Sequence, residues 1–344
     1  MLRINFFGVG DGDCIVIEFP DSSVGVVDSR CRPGTRQSPA VEYVRGKKIA
    51  FCCMTHPHAD HYLGLKEILE AGDTTGWTKP LFWHTLADLD KTADDLFRVV
   101  AFDGKDPSVL AQESADLTYL AKLFIWMKST HGTGFSESIR QSTCRHIAGV
   151  DIWLAAPSTA AWTKYFDGIK RCRQERRALT YGLANDISLG LLLEYGGTRV
   201  WLLGDLGRDE QLTLESRLHA AMPKQAQSDI RSRVLKVAHH GAKNSWDPKI
   251  PQALTVCEAT DLIVLTADGS DHPDRSVFEG WMNTGKQVLG TWEPNAVSPS
   301  RPGTEWFDSA LEQIAPSCHA RNPRDILVTI HADGRHEHIF KSVP

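Results

Sequence analysis

The sequence predicts an α/β fold in which two β-sheets are flanked by helices, and three observations lead there. Apolar runs with strand-like alternation cluster at both ends of the chain, helical spacing fills the stretches between them, and a histidine-rich motif follows directly on one of the strands. The 344 residues are 42% hydrophobic and 24% charged, an ordinary globular composition that excludes disordered, collagen-like and coiled-coil chains.

The elements follow in order. Leu2 to Phe7, Cys14 to Phe19 and Val24 to Val27 alternate between turns at Gly8, Gly10, Gly12 and Asp21-Ser22-Ser23, and so read as a β-meander. Residues 49–54 form a short apolar strand that runs into Thr55-His56-Pro57-His58-Ala59-Asp60-His61. From Tyr62 to Ala71 the apolar residues recur at helical spacing and stop at Gly72, which sets the histidine motif on a strand-to-helix loop. Residues 86–146 read as largely helical. Strand signal returns at Ile152 to Leu154, in the pair Ile187 to Tyr195 and Arg199 to Leu203 joined by Gly196-Gly197, and at Val234 to Ala238, Leu262 to Thr266 and Gln287 to Thr291. Ile326 to His331 and His336 to Phe340 form a last hairpin through Asp333-Gly334.

Composition narrows the function. The formal charge is −5, from 38 Lys and Arg against 43 Asp and Glu, so no global basic field points to a nucleic acid or a membrane. The deficit is local: residues 86–116 hold eight acids and three bases, leaving 35 of each elsewhere. There is no apolar run long enough to span a membrane and no signal-peptide pattern, which predicts a cytoplasmic protein. The eight cysteines contain no CxxC pair and read as reduced, mostly buried thiols rather than a disulfide framework.

His56, His58, Asp60 and His61 spell HxHxDH. Imidazole and carboxylate are ligands for divalent transition metals, and alternate residues on an extended loop face one way while the next pair faces another, so this spacing can serve two ions. A set of satisfied core or surface side chains is the alternative. A second feature is the stretch Lys164 to Arg177, with Lys170, Arg171, Arg173, Arg176 and Arg177 interleaved with Trp162, Tyr165 and Phe166; it reads either as a guide for a polynucleotide backbone or as a solvated amphipathic helix. His331, His336 and His338 resemble a small metal cluster but alternate on a terminal hairpin.

With these motifs in view, the sequence resembles the metallo-β-lactamase-fold hydrolases, and more narrowly the ComEC-like hydrolase domains. The resemblance rests on an ordered series: Val9-Gly10-Asp11-Gly12-Asp13, Val26-Val27-Asp28, HxHxDH at 56–61, Asn185-Asp186-Ile187-Ser188-Leu189, Leu202-Leu203-Gly204-Asp205, Leu235-Lys236-Val237-Ala238-His239-His240-Gly241 and Asp271-His272-Pro273. It runs from residue 1 to about 293 and leaves 84–180 unmatched.

The resemblance implies a single domain over 1–344, an αββα four-layer sandwich, with a partly helical insertion at 84–180 that is either a bland addition or a docking surface for a protein partner. It implies two divalent metal ions, Zn or Mn with Mg possible. His56 and His58 would bind the first, Asp60 and His61 the second, and Asp205 would bridge them. The remaining ligand would come from the pair, His239 by preference, with His240 as ligand or hydrogen-bond donor. Asp28 would orient a ligand histidine. Asn185-Asp186 stands where many relatives have a His, which makes the first site richer in oxygen and favours Mn²⁺ or Mg²⁺ over zinc. Lys243, Asn244, Ser245 and Ser188 would hold a phosphoryl oxygen or be plain loop residues, and His272 would donate to the leaving oxygen or bind substrate. The implied activity is that of a phosphodiesterase or nuclease on nucleic acid or nucleotide, Asp60 and Asp205 serving catalysis through the metals. Hydrolysis of a lactone, β-lactam or phosphocholine ester, or a partner-binding subunit with a non-catalytic metal site, are the alternatives.

Overall fold

In the computed structural model the described residues are 1–35, 37–77, 81–86, 107–132, 134–155, 157–175, 181–222, 230–256, 261–267, 272–292 and 323–342. The predicted meander forms as β1 (Leu2–Phe6), β2 (Ile15–Glu18) and β3 (Val24–Val27), each antiparallel to the next. Parallel to β3 lies β4 (Ile49–Cys53), followed by the short β5 (Phe82–His84) and β6 (Ser136–Ser138). On the other side of β1, β14 (Arg324–Ile330) and β15 (His336–Ser342) complete an eight-stranded sheet of order β15-β14-β1-β2-β3-β4-β5-β6.

The second sheet has seven strands. They are β7 (Thr143–Ile147), β8 (Val150–Ala155), β9 (Gly190–Tyr195), β10 (Thr198–Leu202), β11 (Val234–Lys236), β12 (Leu262–Leu265) and β13 (Gln287–Gly290), in the order β13-β12-β11-β10-β9-β8-β7. The four strands β10 to β13 are parallel neighbours.

Period-two alternation builds the layers. Leu2, Ile4, Phe6, Ile15, Ile17, Phe51, Leu191, Leu193, Val200, Val234 and Val264 face inward and form the core between the sheets. Val16, Val24, Val26 and Cys52 face outward from the first sheet onto the helices Ala40–Val44, Leu65–Ala71 and Pro107–His131. Leu192, Trp201, Leu235 and Ile263 do the same on the second sheet, against Leu214–Ala221, Ile250–Leu254 and Arg275–Met282. Strands buried on both faces explain why these segments read as nearly continuous apolar runs. The result is helix, sheet, sheet, helix, as predicted.

Two expectations change. The stretch 86–146, read as largely helical, contains β6 and all but the last residue of β7; their intermediate exposure and polar side chains hide the alternation that marks a strand. The helix expected over 62–71 is interrupted. Ala59–Tyr62 and Leu65–Ala71 are separate helices, joined at Gly64 with φ +102°. A side chain there would meet Ser38 Cβ at 2.7 Å and Ser29 Oγ at 2.8 Å, so the break needs glycine twice over.

The stretch 84–180 is woven into the layers: β5 and β6 extend one sheet, β7 and β8 the other, and Leu120, Leu123, Phe124 and Met127 of the helix Pro107–His131 pack on the first sheet. Tyr119 Oη accepts from the backbone N–H of Gly64 and of Lys66, both at 2.9 Å, and donates to Glu67, so this helix caps the one that follows the histidine motif. Most of the acidic stretch 86–116 lies outside the described residues. Cys14, Cys31, Cys52, Cys53 and Cys144 are free thiols, three of them buried. No described helix is long and apolar enough to cross a membrane.

Candidate metal centre

Every motif of the site stands at a strand end, where the backbone leaves the ladder and its side chains become free to converge. Asp28 ends β3 and His56 to His61 follow β4; Gly204-Asp205 follows β10, and His239-His240 follows β11. Five described non-glycine residues have positive φ, and three of them are Asp28 (56°), His239 (49°) and His240 (52°). Such backbone costs about 1–3 kcal/mol per residue and collects at functional sites. Gly204, at φ +50°, sits 2.4 Å from Ser188 Oγ when a Cβ is placed on it, which is why glycine precedes Asp205.

The side chains form two groups that share one carboxylate. Asp60, His61, Asp205 and His240 bring ligand atoms within 4.8 Å of one another, and His56, His58 and Asp205 do the same. Asp205 divides its oxygens between them. Its Oδ1 faces His61 Nε2 at 3.2 Å and His240 Nε2 at 3.6 Å, while its Oδ2 faces His56 Nε2 and His239 Nε2, each at 3.7 Å. Asp60 Oδ2 lies 3.4 Å from both His61 Nε2 and His240 Nε2, and His56 Nε2 is 2.9 Å from His58 Nδ1.

Behind the ligand atoms four of the rings are each held by an oxygen. Nδ1 of His56 meets Thr55 Oγ1 at 3.1 Å, that of His61 meets Asp28 Oδ2 at 2.7 Å, that of His239 meets Ser245 Oγ at 3.2 Å and that of His240 meets Thr266 Oγ1 at 3.2 Å. Asp28 is itself fixed by the Thr55 amide at 2.7 Å and the Thr55 hydroxyl at 2.6 Å. Such partners set the tautomer and aim Nε2 forward. The aimed atoms are then left bare: His61 Nε2, His240 Nε2 and Asp205 Oδ1 are buried polar atoms with no hydrogen-bond partner. Two orphan nitrogens within 3.6 Å of an orphan carboxylate oxygen are costly when buried and are what a divalent cation satisfies, so the residues fit a metal centre.

Electrostatics agree. Burial opposes charge on His61, but the carboxylates of Asp205, Asp60 and Asp28 outweigh it and hold the ring well above the usual histidine range. Burial likewise opposes ionisation of Asp60 and Asp205, and the surrounding imidazoles overcome it and hold both carboxyls well below theirs. His56 and His58 go the other way; burial pushes them down, His58 to about 4, which leaves them neutral and ready to donate a lone pair at pH 7.

Sequence reasoning missed a second tier. Asp13, 1% exposed, accepts from Thr266 Oγ1 at 2.7 Å and from the Lys236 ammonium, which also donates to the Gly204 carbonyl at 3.1 Å. Lys236 continues the alternation of Val234 and therefore points between the sheets, fully buried. The signal was the charged Lys236 inside an apolar strand, together with Asp13 closing the first glycine turn. Asp13, Asp28 and His61 also group closely, but Lys236 and Thr55 already saturate those carboxylates.

The other candidates fall as follows. Asn185 lies against the His239 ring, its Nδ2 at 3.3 Å from Nε2. Ser188 Oγ accepts from the Asp205 amide at 3.0 Å and so positions the shared ligand. Asp186 pairs with Lys164 at 2.8 Å. Ser245 turns inward to His239, whereas Lys243 and Asn244 are exposed. The His272 ring lies 5.5 Å from that of His239. A groove of about 950 Å³, lined by Ala160, Lys164, Arg171, Asn185, His239 and Asn244 among others, opens on the centre. It runs beside the helix Thr159–Glu175. On that helix Trp162 and Tyr165 are buried, so they serve the core and offer no stacking platform. The helix includes Arg173, whose side chain lies outside the described residues, as do Arg176 and Arg177. His331 pairs with Glu337 at 3.2 Å, and the three C-terminal histidines are not among the metal-competent groups found in the described residues.

Residues 7–120 match the sequence profile described as the Metallo-beta-lactamase superfamily, and the four-layer architecture is consistent with that fold. No curated protein matches the sequence. Among solved structures, the chain is similar to a protein from Parabacteroides distasonis assigned as a metal-dependent hydrolase, at 13% identity and TM-score 0.42, covering 84% of this chain and 92% of that one. It is similar to CmlA, a diiron beta-hydroxylase from Streptomyces venezuelae, at 12% identity and TM-score 0.40, covering 99% of this chain and 54% of that one. Zinc-bound PqqB from Methylobacterium extorquens matches at 11% identity and TM-score 0.40, covering 84% and 98%.

Proposed function

We propose that the protein is a metal-dependent hydrolase that cleaves phosphodiester bonds in a nucleic acid or nucleotide, using two divalent ions. The observation that carries the reading is the division of Asp205, whose two oxygens each face two imidazole nitrogens. When bound, paired ions supply an activated water at neutral pH and charge stabilisation for an in-line displacement at phosphorus. Asp205 fixes the spacing of the two positions, and Asp60 adds the second carboxylate. Asn244 at the groove rim would donate to a non-bridging oxygen, and His272 would deliver a proton to the leaving oxygen. The ordered motifs shared with ComEC-like domains support this substrate class, and no nucleophilic Ser or Cys is needed.

A second reading, a small carboxylic or phosphoric ester, is favoured by the groove itself. Lys164 is paired with Asp186 and Arg208 with Asp209 at 3.0 Å, so the field along it is largely balanced and does not favour a long polyanion. A panel of single- and double-stranded DNA, RNA, bis(p-nitrophenyl) phosphate and lactones, assayed with Mn²⁺, Zn²⁺ and Mg²⁺, separates the readings. Phosphodiester cleavage abolished by Asp205→Asn is expected. Lactone turnover without phosphodiester turnover would replace the first reading with the second, and no turnover of any substrate would leave a partner-binding role for the metal site.

A further inference from the structure

We infer that the cavity between the C-terminal hairpin and the edge of the second sheet is a binding site for a phosphorylated small molecule, separate from the metal centre and independent of the reaction there. Its volume is about 830 Å³, within the range of small-ligand sites, and Arg233, Lys286, His331, Arg335, His336 and His338 are among the residues that line it.

The register of the hairpin explains why the cavity is polar. On β14, Ile326, Val328 and Ile330 face the core between the sheets, and their partners on β15 are Phe340, His338 and His336. Paired residues share a face, so both imidazoles stand on the inner side, where apolar side chains would otherwise continue the core. The cavity occupies that place, bounded opposite by Leu262 at the start of β12 and by Gly285 to Gln287 leading into β13.

Lys286 is the residue that asks for an anion. Its side chain is 2% exposed, yet the carboxylate oxygen it faces, Asp261 Oδ2, stands 3.9 Å from Nζ, beyond hydrogen-bond reach. Asp261 is wholly buried and also lies 3.5 Å from Arg233 Nε, so one carboxylate stands between two cations. Among the described residues the Lys286 ammonium has no hydrogen-bond partner, and burying it that way is costly unless an occupant of the cavity accepts from it. Nearer to solvent, Arg335 pairs with Asp333 at 2.8 Å and His331 with Glu337 at 3.2 Å, weak contacts that an incoming anion can exchange.

The arrangement of donors selects the ligand. They reach the cavity from the residue before β11, the loop before β13, the hairpin turn and β15. A planar carboxylate accepts mostly in its own plane, whereas a tetrahedral phosphate accepts from several directions and carries a charge of about −1.5 to −2 near pH 7. The cavity shares no lining residue with the groove at the metal centre. Arg233 precedes β11 and His239 follows it; Leu262 opens β12 and Thr266 lies just past its end, so the two sites occupy opposite ends of the same strands.

Titration calorimetry tests the site. The full-length protein is titrated with inorganic phosphate before and after removal of metal by a chelator, with citrate as the carboxylate control. One equivalent of phosphate that survives removal of the metal is expected. Lys286→Gln, and separately His336→Ala combined with His338→Ala, are each expected to weaken it about 10–100-fold, with thermal unfolding midpoints to show that the variants are folded. Phosphate binding that is absent once the metal is removed, or that is unchanged in the folded variants, would overturn the site. Citrate held more tightly than phosphate would overturn the ligand class.

Discussion

At the scale of single residues, the centre is defined less by its ligands than by what stands behind them. Asp28 receives two hydrogen bonds from Thr55 and passes that rigidity to His61 at 2.7 Å. Its buried carboxyl is raised by burial despite His61, so it depends on the pairing to stay ionised. Asp28→Asn keeps the shape and removes the charge, and it is expected to weaken metal binding by about 10–100-fold, measured by competition with a chromophoric chelator. An unchanged affinity would mean that His61 needs no orientation. The HxHxDH spacing made His56, His58, Asp60 and His61 legible in the sequence, and the ordered motifs of the resemblance added Asp205, His239 and His240. Thr55, Thr266 and Ser245 were not legible as supports, because a hydroxyl that holds a ring nitrogen has no spacing rule; only the folded loops bring it there.

Among the elements, legibility follows burial. The strands of the meander and β9 to β13 are buried on both faces, and their apolar runs announced them. The strands β6 and β7 are half-exposed and polar, and β5 is three residues long, too short for a pattern. Yet β5 carries a measurable group. His84 is 2% exposed, accepts from the Leu86 amide at 3.1 Å through Nδ1, and is pushed down by burial to about 3. The unfolded chain protonates this ring near pH 6.5 while the folded chain does so only near 3, so between those values the unfolded state binds the extra proton. Stability is therefore full above about pH 6.5 and is lost as pH falls, at about 1.4 kcal/mol per pH unit for this one proton. His84→Gln is expected to reduce the pH dependence of the urea midpoint between pH 6 and 4 by that slope. An identical slope in both proteins would show that His84 remains protonated when folded.

For the whole molecule, the two sheets meet in an apolar core, and Lys236 is a buried cation between them. Lys236 reaches from β11 to Asp13 in the loop after β1, and its charge is balanced there. Replacing one partner of such a pair leaves the other charge stranded, at about 3–5 kcal/mol. Lys236→Met is expected to lose that much stability to urea, and Asp13→Asn combined with it to lose less than the sum of the two single variants. Additive losses would mean that the pair does not act as a unit. The partners belong to different layers, as do the ligands beside them: those of residues 56–61 come from one sheet, Asp205, His239 and His240 from the other. The centre is thus a seam, and its geometry exists only while the layers keep one lateral register. A shear of a single ångström between them would separate Asp205 from His61 without disturbing either sheet. The Lys236 to Asp13 bond joins the same two layers beside the centre, Asp13 lying 3.7 Å from His240 Nδ1 and 3.8 Å from His61 Nδ1, and so works as a pin against the slide.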